Sequence, residues 1–176
     1  IPDIGLRPQD YRHGAWPKLS VFSDNLYGLK GRALFIDLDT VICGNLDQMF
    51  DYIAGLIALD SRPWRYKSGP ARTGTGVFGF EIGSMDYVVE KIKENRDISI
   101  ETYGLEQDFL HGEALEIKYW PDEWIRSFKY HQRAPLLLDR LIGPKPPAKD
   151  AKILCFHGKP RPIDLIRTGK VNWDRF

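Results

Sequence analysis

The stretch Ala33-Leu34-Phe35-Ile36-Asp37-Leu38-Asp39-Thr40 places two carboxylates directly after four apolar residues. Side chains two residues apart in a strand point to the same side, so Asp37 and Asp39 are predicted to project together while Leu38 turns into the core. A strand that is apolar on both faces is typical of a buried, mostly parallel sheet, and such sheets bind ligands beyond the carboxyl ends of their strands. Two acids there indicate a divalent cation or phosphoryl chemistry, because capping a turn requires only one.

The composition is that of an ordinary globular domain. The chain has 176 residues, of which 43% are hydrophobic and 28% charged, so it can bury a real core and is not expected to be disordered. No run approaches the ~20 apolar residues that a membrane-spanning helix needs, so no transmembrane segment is predicted. Cys43 and Cys155 lie far apart in apolar segments. They do not indicate a disulfide framework, which favours a reducing, cytoplasmic location.

The net charge of +1 conceals an uneven distribution. Residues 118–176 carry 13 Lys and Arg against 6 Asp and Glu, so the remainder of the chain is acidic. A basic C-terminal third beside an acidic pair suits an anionic, phosphate-bearing ligand. The basic residues are interleaved with prolines and are not arrayed along a helix, so nucleic acid is not the expected partner.

Apolar runs and helical stripes alternate along the chain, which predicts the α/β class. Strands are expected at 33–36, 41–43, 56–59, 77–82, 116–120 and 152–156. Helices are expected at 16–22, continuing toward Leu26, and at 45–53, 84–92 and 104–110. Asn45 with Gln48 three residues later indicates a capping box, and Ser84 is predicted to cap the next helix.

His157 follows the apolar run 152–156 in the same way that Asp37 follows the first strand. If both strands belong to one sheet, the imidazole reaches the same edge as the acid pair. A nitrogen ligand beside two carboxylates suits Mn²⁺ better than Ca²⁺. Gly158 lets the backbone approach a phosphate closely, and Lys159 adds a positive charge. The structural alternative is a strand-end histidine bonded to a backbone carbonyl.

Two motifs in this order resemble those of one enzyme family. The run Phe35-Ile36-Asp37-Leu38-Asp39-Thr40-Val41-Ile42, then Gly44-Asn45-Leu46-Asp47 and Phe50, resembles the Asp-X-Asp region of glycogenin-like glycosyltransferases, which have the GT-A fold. The run Phe156-His157-Gly158-Lys159-Pro160-Arg161-Pro162 is similar to the His/Gly/Lys-Pro signature of that family. An Asp-X-Asp alone is a weak signal, but with the late histidine motif it is fairly specific.

Three further segments match that family in chain order, so the resemblance covers most of the chain. Thr75-Gly76-Val77-Phe78-Gly79-Phe80 looks like its glycine-containing central strand, and Glu106-Gln107-Asp108 resembles its Asp/Gln pair on a helix. Trp16-Pro17-Lys18-Leu19 resembles the segment that bears a donor-contacting lysine. The family usually has Asn near the glycine where this chain has Thr75-Gly76, so acceptor contacts there are expected to differ.

The resemblance implies a metal-dependent transferase of hexosyl type that uses a nucleotide-sugar donor, a UDP-sugar, with retention of the anomeric configuration. It implies Mn²⁺ (or Mg²⁺) held by Asp37, Asp39 and His157. The donor contacts that it implies come from Lys18, Asp37, Gly158 and Lys159.

The resemblance also implies that Asp108, or the amide of Gln107, lies near the anomeric carbon, where positive charge develops. The acceptor is left open between a glycan, a lipid and a protein. Its contacts are expected in the loops 61–73 and 119–147.

The family's first strand–helix units, which cradle the uracil and ribose, precede the segment that Trp16 resembles, and fifteen residues cannot hold them. The chain is therefore expected to be a single catalytic domain over 1–176 that is N-terminally incomplete, either as a fragment of a larger domain or because that half is lost. Strand 33–36 is apolar on both faces and needs neighbours on either side. Residues 1–176 alone are then expected to leave an open sheet edge and an unfilled groove beside Asp37, and to bind UDP weakly or not at all.

Two other classes remain open. A haloacid-dehalogenase-type phosphohydrolase has an apolar strand followed by Asp-X-Asp-X-Thr/Val, with Asp37 as nucleophile and Asp39 as general acid. It also needs acidic ligands at a late strand end, where this chain has His157. A non-catalytic sugar-nucleotide-binding module is the third class. Tryptophans stack on sugars in lectins and transferases alike, although they lie more often in the core; the candidates are Trp64, Trp120, Trp124 and Trp173.

Overall fold

The structure is a computed structural model that describes residues 1–64, 73–134 and 143–168. Its strands are β1 (Arg32–Ile36), β2 (Thr40–Ile42), β3 (Leu56–Asp60), β4 (Thr73–Glu81), β5 (Ile117–Tyr119), β6 (Ile125–Ser127) and β7 (Ile153–Cys155). Its α-helices are α1 (Asp47–Tyr52), α2 (Asp86–Tyr103), α3 (Glu106–Glu113) and α4 (Pro162–Thr168). Short 3₁₀ helices cover Pro8–Arg12, Trp16–Phe22 and Arg62–Trp64, and a π-helical turn covers Phe128–Gln132. In these described segments no helix is both long and apolar enough to cross a membrane.

The strands form two mixed sheets, which confirms the α/β class. The larger sheet has the order β1-β4-β3-β5, with β4 antiparallel to both neighbours and β5 parallel to β3. The smaller has the order β2-β7-β6, with β7 antiparallel to β2 and parallel to β6. The segment resembling a glycine-containing central strand is β4, which lies inside the larger sheet.

β1 differs from the parallel central strand that its apolar sequence predicts. It pairs with β4 alone, in antiparallel register, and forms an edge of the larger sheet in the described part of the chain. Its residues are apolar on both sides because each face meets a different core. Ala33 and Phe35 pack on one cluster, whereas Leu34 and Ile36 pack on the other. The strand therefore agrees with the expected open edge, but the expectation of a mostly parallel sheet is wrong for β1.

The first core explains the helix before β1. Trp16, Leu19 and Phe22 are all buried, and they recur at every third residue. Side chains three apart stack on one side of a 3₁₀ helix, so this spacing favours the 3₁₀ form over the α form. The helix was predicted over these residues and expected to continue toward Leu26. It ends at Phe22 because Ser23 is extended.

The acid pair lies in a turn between the two sheets rather than on the strand itself. β1 ends at Ile36, and the Asp37 carbonyl accepts a 2.7 Å hydrogen bond from the Thr40 hydroxyl. Strand alternation does not apply within this turn, so the prediction that Leu38 turns into the core is wrong. Leu38 is fully exposed, at 103%. Asp37 and Asp39 nevertheless face one cleft, as predicted.

Two helix starts were predicted one to two residues too early. α1 begins at Asp47, whose amide is bonded to the side chain of Asn45 at 2.6 Å, while Gln48 accepts from Lys152 and closes no capping box. α2 begins after Met85. In both places a short polar side chain closes a turn before the helix, an alternative that such residues favour as readily as a cap.

Gly79 on β4 has no room for a side chain. A methyl group there lies 2.6 Å from Ile53 and 3.0 Å from the ring of Trp120. We expect Gly79→Ala to lower the free energy of unfolding by about 1–3 kcal/mol, the usual cost of overpacking a core. Gly76→Ala on the same strand is the control, because its methyl group meets the Asp37 carboxylate at an ordinary 3.7 Å. Denaturant titration measures both, and equal stability of the two variants contradicts the prediction.

Candidate active site

A cleft of about 330 Å³ opens where the two sheets meet. The turn after β1, the first residues of β4, the start of α3 and the end of β7 all contribute to it. Its lining includes six of the side chains selected from the sequence and several that were not; the lining residues are Lys18, Asp37, Asp39, Thr40, Leu59, Ser61, Trp64, Gly74, Thr75, Gly76, Glu106, Gln107, Tyr130, Cys155, Phe156 and His157. The acid pair and His157 thus line the same cleft, although the strands that precede Asp37 and His157 belong to different sheets.

Lys18 links the two acidic sides of the cleft. The buried 3₁₀ stripe fixes its backbone, and its Nζ donates to Oδ2 of Asp37 at 2.8 Å and to the Thr75 carbonyl at 3.1 Å. The same nitrogen lies 3.8 Å from Oε1 of Glu106. It also lies 5.5 Å from the centre of the Phe35 ring, in a cation–π position. Lys18 is therefore held in the cleft by three separate partners and one ring.

Glu106 is a cleft residue that the sequence analysis did not select. Its side chain is 6% exposed, and its Oε1 accepts a 2.5 Å hydrogen bond from the Thr75 hydroxyl. Burial raises the pKa of Glu106, while the Thr75 bond and the Lys18 charge act in the opposite direction. The available signal was helical spacing, because Glu106, Phe109 and Leu110 fall at i, i+3 and i+4 and all three are buried.

Helix geometry also separates the two candidate catalytic residues. Gln107 lines the cleft, whereas Asp108 is half-buried and does not. Successive residues of an α-helix are rotated by about 100°, so Asp108 lies on the far side of α3 from Glu106. The structure therefore brings Gln107, but not Asp108, to the acid pair.

The two carboxylates of the pair influence each other. Asp39 is exposed as a residue, yet its carboxylate is partly desolvated in the cleft, and this raises its pKa above the ordinary range. The charge of Asp37 raises the pKa of Asp39 further. Two carboxylates repel each other, and a bound cation relieves this repulsion.

His157 lies in a packed aromatic setting. Its Nε2 lies 2.6 Å from the Oγ of Ser127, and its ring stacks on Trp64 and on Tyr130 with centres 5.4 and 5.3 Å away. Burial, followed by the nearby charge of Lys129, lowers the pKa of His157, so the imidazole is neutral near pH 7. Sequence reasoning could not find Ser127, because it lies 30 residues away and belongs to no motif.

No protein-family model matches this chain, and no curated protein sequence matches it either. Among solved structures it is similar to the galactosyltransferase LgtC, solved in complex with donor and acceptor sugar analogs. The TM-score is 0.58 and the identity 14%, with 84% of this chain and 59% of that chain covered. The chain has the GT-A fold.

The glycosyltransferase GlyE of Streptococcus pneumoniae TIGR4 is a second similar structure, with a TM-score of 0.49, 18% identity, and 77% of this chain and 36% of that chain covered. The chain spans 59% of the length of LgtC. Nothing in these similarities separates the glycogenin-like family from others with the GT-A fold.

The GT-A cleft has suitable donor atoms for a divalent cation, but they are not assembled as ligands. Two carboxylates and a neutral imidazole are what Mn²⁺ accepts. In the described segments, however, no group of three or more His, Cys, Asp or Glu side chains is placed to hold a metal. Asp37 accepts a hydrogen bond from Lys18, and the Nε2 of His157 lies 2.6 Å from the Oγ of Ser127. The residues fit the ion in chemistry and require rearrangement to bind it.

The two donor-binding candidates after His157 lie outside the cleft lining. Gly158 and Lys159 follow His157 directly but are exposed and do not line it. Gly158 has a φ of +80°, a conformation that favours glycine.

The tryptophan candidates divide in the same way. Trp64 lines the cleft, Trp120 is in the core with its Nε1 bonded to the Val77 carbonyl at 3.2 Å, and Trp124 packs under Lys152. Trp173 lies outside the described residues, as do 65–72 and 135–142 of the predicted acceptor loops.

Proposed function

We propose that this chain is a metal-dependent glycosyltransferase that moves a sugar from a UDP-sugar donor to an acceptor with retention of configuration. The observation that carries the proposal is a single cleft, in a GT-A fold, that contains Lys18, Asp37, Asp39, Gln107 and His157. Such a combination of acids, an ammonium, an amide and an imidazole matches a diphosphate leaving group on one side and a reacting sugar on the other.

Asp37, Asp39 and His157 would hold Mn²⁺ or Mg²⁺, which supplies Lewis-acid stabilisation of the diphosphate as it leaves. Lys18 adds a hydrogen-bond donor with positive charge beside the same phosphates. Gly158 and Lys159, which follow the cleft residue His157 directly, belong to the proposal as donor-binding residues.

Gln107 is the residue that we assign to the reacting sugar. The amide oxygen carries a partial negative charge that favours positive charge at the anomeric carbon, and Gln107 lines the cleft directly after the buried Glu106. Asp108 is a weaker candidate because it lies outside the cleft lining. The acceptor is a glycan, a lipid or a protein, and its class is left to experiment.

The test is donor hydrolysis. With Mn²⁺ present, and in a protein that also carries the strand–helix units that the resemblance places before Trp16, incubation with a panel of UDP-sugars is expected to release UDP slowly without any acceptor, because water replaces the missing nucleophile. His157→Ala is expected to reduce the rate at least about tenfold, as loss of a metal-holding group does. Release of UDP is measured by coupled assay, with and without EDTA.

Phosphatase activity distinguishes the rival class. Hydrolysis of small phosphomonoesters that is lost in Asp37→Asn but kept in His157→Ala would assign a phosphohydrolase and overturn the transferase proposal. UDP-sugar binding with no UDP release from any donor would instead favour the non-catalytic binding module.

A further inference from the structure

Lys18 occupies the position in the acid pair that the metal ion is proposed to take. Its Nζ is 2.8 Å from Oδ2 of Asp37, and both side chains are largely shielded, at 18% and 30% exposed. The ammonium therefore competes with a cation for this carboxylate oxygen. An ammonium that stays nearby also repels a divalent ion, and the repulsion is stronger in a partly buried cleft than in water.

The surroundings of Lys18 provide an alternative position for its charge. Glu106 lies 3.8 Å away and is 6% exposed, so it remains a counter-ion if the ammonium leaves Asp37. The Thr75 carbonyl, 3.1 Å from the Lys18 Nζ, is a further acceptor that does not belong to Asp37. The amine can therefore leave Asp37 without losing every partner, which makes two arrangements of the cleft accessible.

We infer that Lys18 is an internal cation that occupies Asp37 in the metal-free protein and weakens metal binding until a donor diphosphate draws the ammonium away. This inference rests on the proposed function, since metal and donor both belong to it. Because binding free energies are reciprocal, metal and nucleotide should then strengthen each other's binding through the position of one side chain. The order in which the metal ion and the nucleotide bind then depends on the position of Lys18.

Manganese titration tests this with the ion alone. Free Mn²⁺ is followed by its electron paramagnetic resonance signal in the unaltered protein, Lys18→Met, Lys18→Arg and Asp39→Asn, each checked by thermal melting. We expect Lys18→Met to bind Mn²⁺ at least about tenfold more tightly than the unaltered protein, because a like charge near the site is removed. Lys18→Arg keeps the charge and should stay close to the unaltered protein. Lys18→Gln is a second charge-free variant if Lys18→Met does not fold.

A second titration includes saturating UDP. The unaltered protein is expected to gain more Mn²⁺ affinity from UDP than Lys18→Met does, since only the former has an ammonium to displace. Equal Mn²⁺ affinity in Lys18→Met and the unaltered protein, with binding still lost in Asp39→Asn, overturns the inference and leaves the metal site in place. Absence of saturable Mn²⁺ binding in all four proteins, with and without UDP, overturns the metal dependence and the inference together.

Discussion

Asp39→Asn is expected to lower the Mn²⁺-dependent affinity for UDP by about a hundredfold or more. Changing a residue that only supports a metal ligand already lowers metal affinity by about 10–100-fold, so loss of a ligand itself should have at least that effect. The substitution keeps the shape of the side chain and removes its charge. Isothermal titration of UDP with and without Mn²⁺ measures the change. Asp51→Asn, the same substitution at an exposed position on α1, should bind as the unaltered protein does.

The fold of Asp39→Asn should survive. The pKa of Asp39 is raised in the folded protein, so the folded state holds this proton more tightly than the unfolded chain does, and ionisation costs stability as the pH rises. An amide has no such cost, so the variant should melt no lower than the unaltered protein at pH 7.5. If UDP binding with Mn²⁺ is unchanged in a folded Asp39→Asn, then Asp39 does not hold the metal.

The elements of this fold could be predicted because their signals are local. Apolar runs marked β1, β3, β4 and β7, and a short apolar segment marked the helix at Trp16. The partners of each strand could not be predicted in the same way. Whether β1 pairs parallel or antiparallel depends on packing with β4, which is separated from β1 by 36 residues of the chain. A strand that is apolar on both faces packs between two cores, but this pattern does not determine whether the strand pairs parallel or antiparallel to its neighbour.

The site shows the same division. Strand-end reasoning and the family resemblance led to Asp37, Asp39, Lys18, Gln107 and His157, which all reach one cleft. What failed was side-chain direction within short irregular segments, where neither strand nor helix period applies, as the exposure of the leucine between the two acids demonstrates.

The cleft residues that were missed are those whose role depends on burial and partners. Glu106 stands next to two residues that were chosen, but only its place on the apolar stripe of α3 indicates that it points inward. Ser127, which touches His157, has no sequence signal, because a lone serine at the end of a three-residue strand resembles any other.

Glu106→Gln is expected to lower UDP-sugar turnover by about a hundredfold, the scale of losing one well-placed charge in a shielded site. Without its buried counter-ion, Lys18 loses one of the partners that hold it at the position where the proposal puts the donor phosphates. The amide of Gln still accepts from Thr75, so the local structure should be retained. Turnover is measured as UDP release with the donor that the unaltered protein prefers.

The stability of Glu106→Gln should change in the opposite direction. Burial raises the pKa of Glu106 above the pKa of the same group in the unfolded chain. As the pH rises from the unfolded pKa to the folded pKa, ionisation of Glu106 destabilises the folded state, and above the folded pKa this effect is complete. The variant should therefore melt at or above the unaltered protein at pH 8, with little difference near pH 4.

Glu113→Gln, at the other end of α3, is the matched control. Hydrogen bonds from Lys91 and Tyr103 lower the pKa of Glu113, so its loss should destabilise the protein at pH 8 and leave turnover unchanged. A Glu106→Gln variant that melts below the unaltered protein at pH 8 would mean that its contact with Lys18 outweighs the cost of burying the charge.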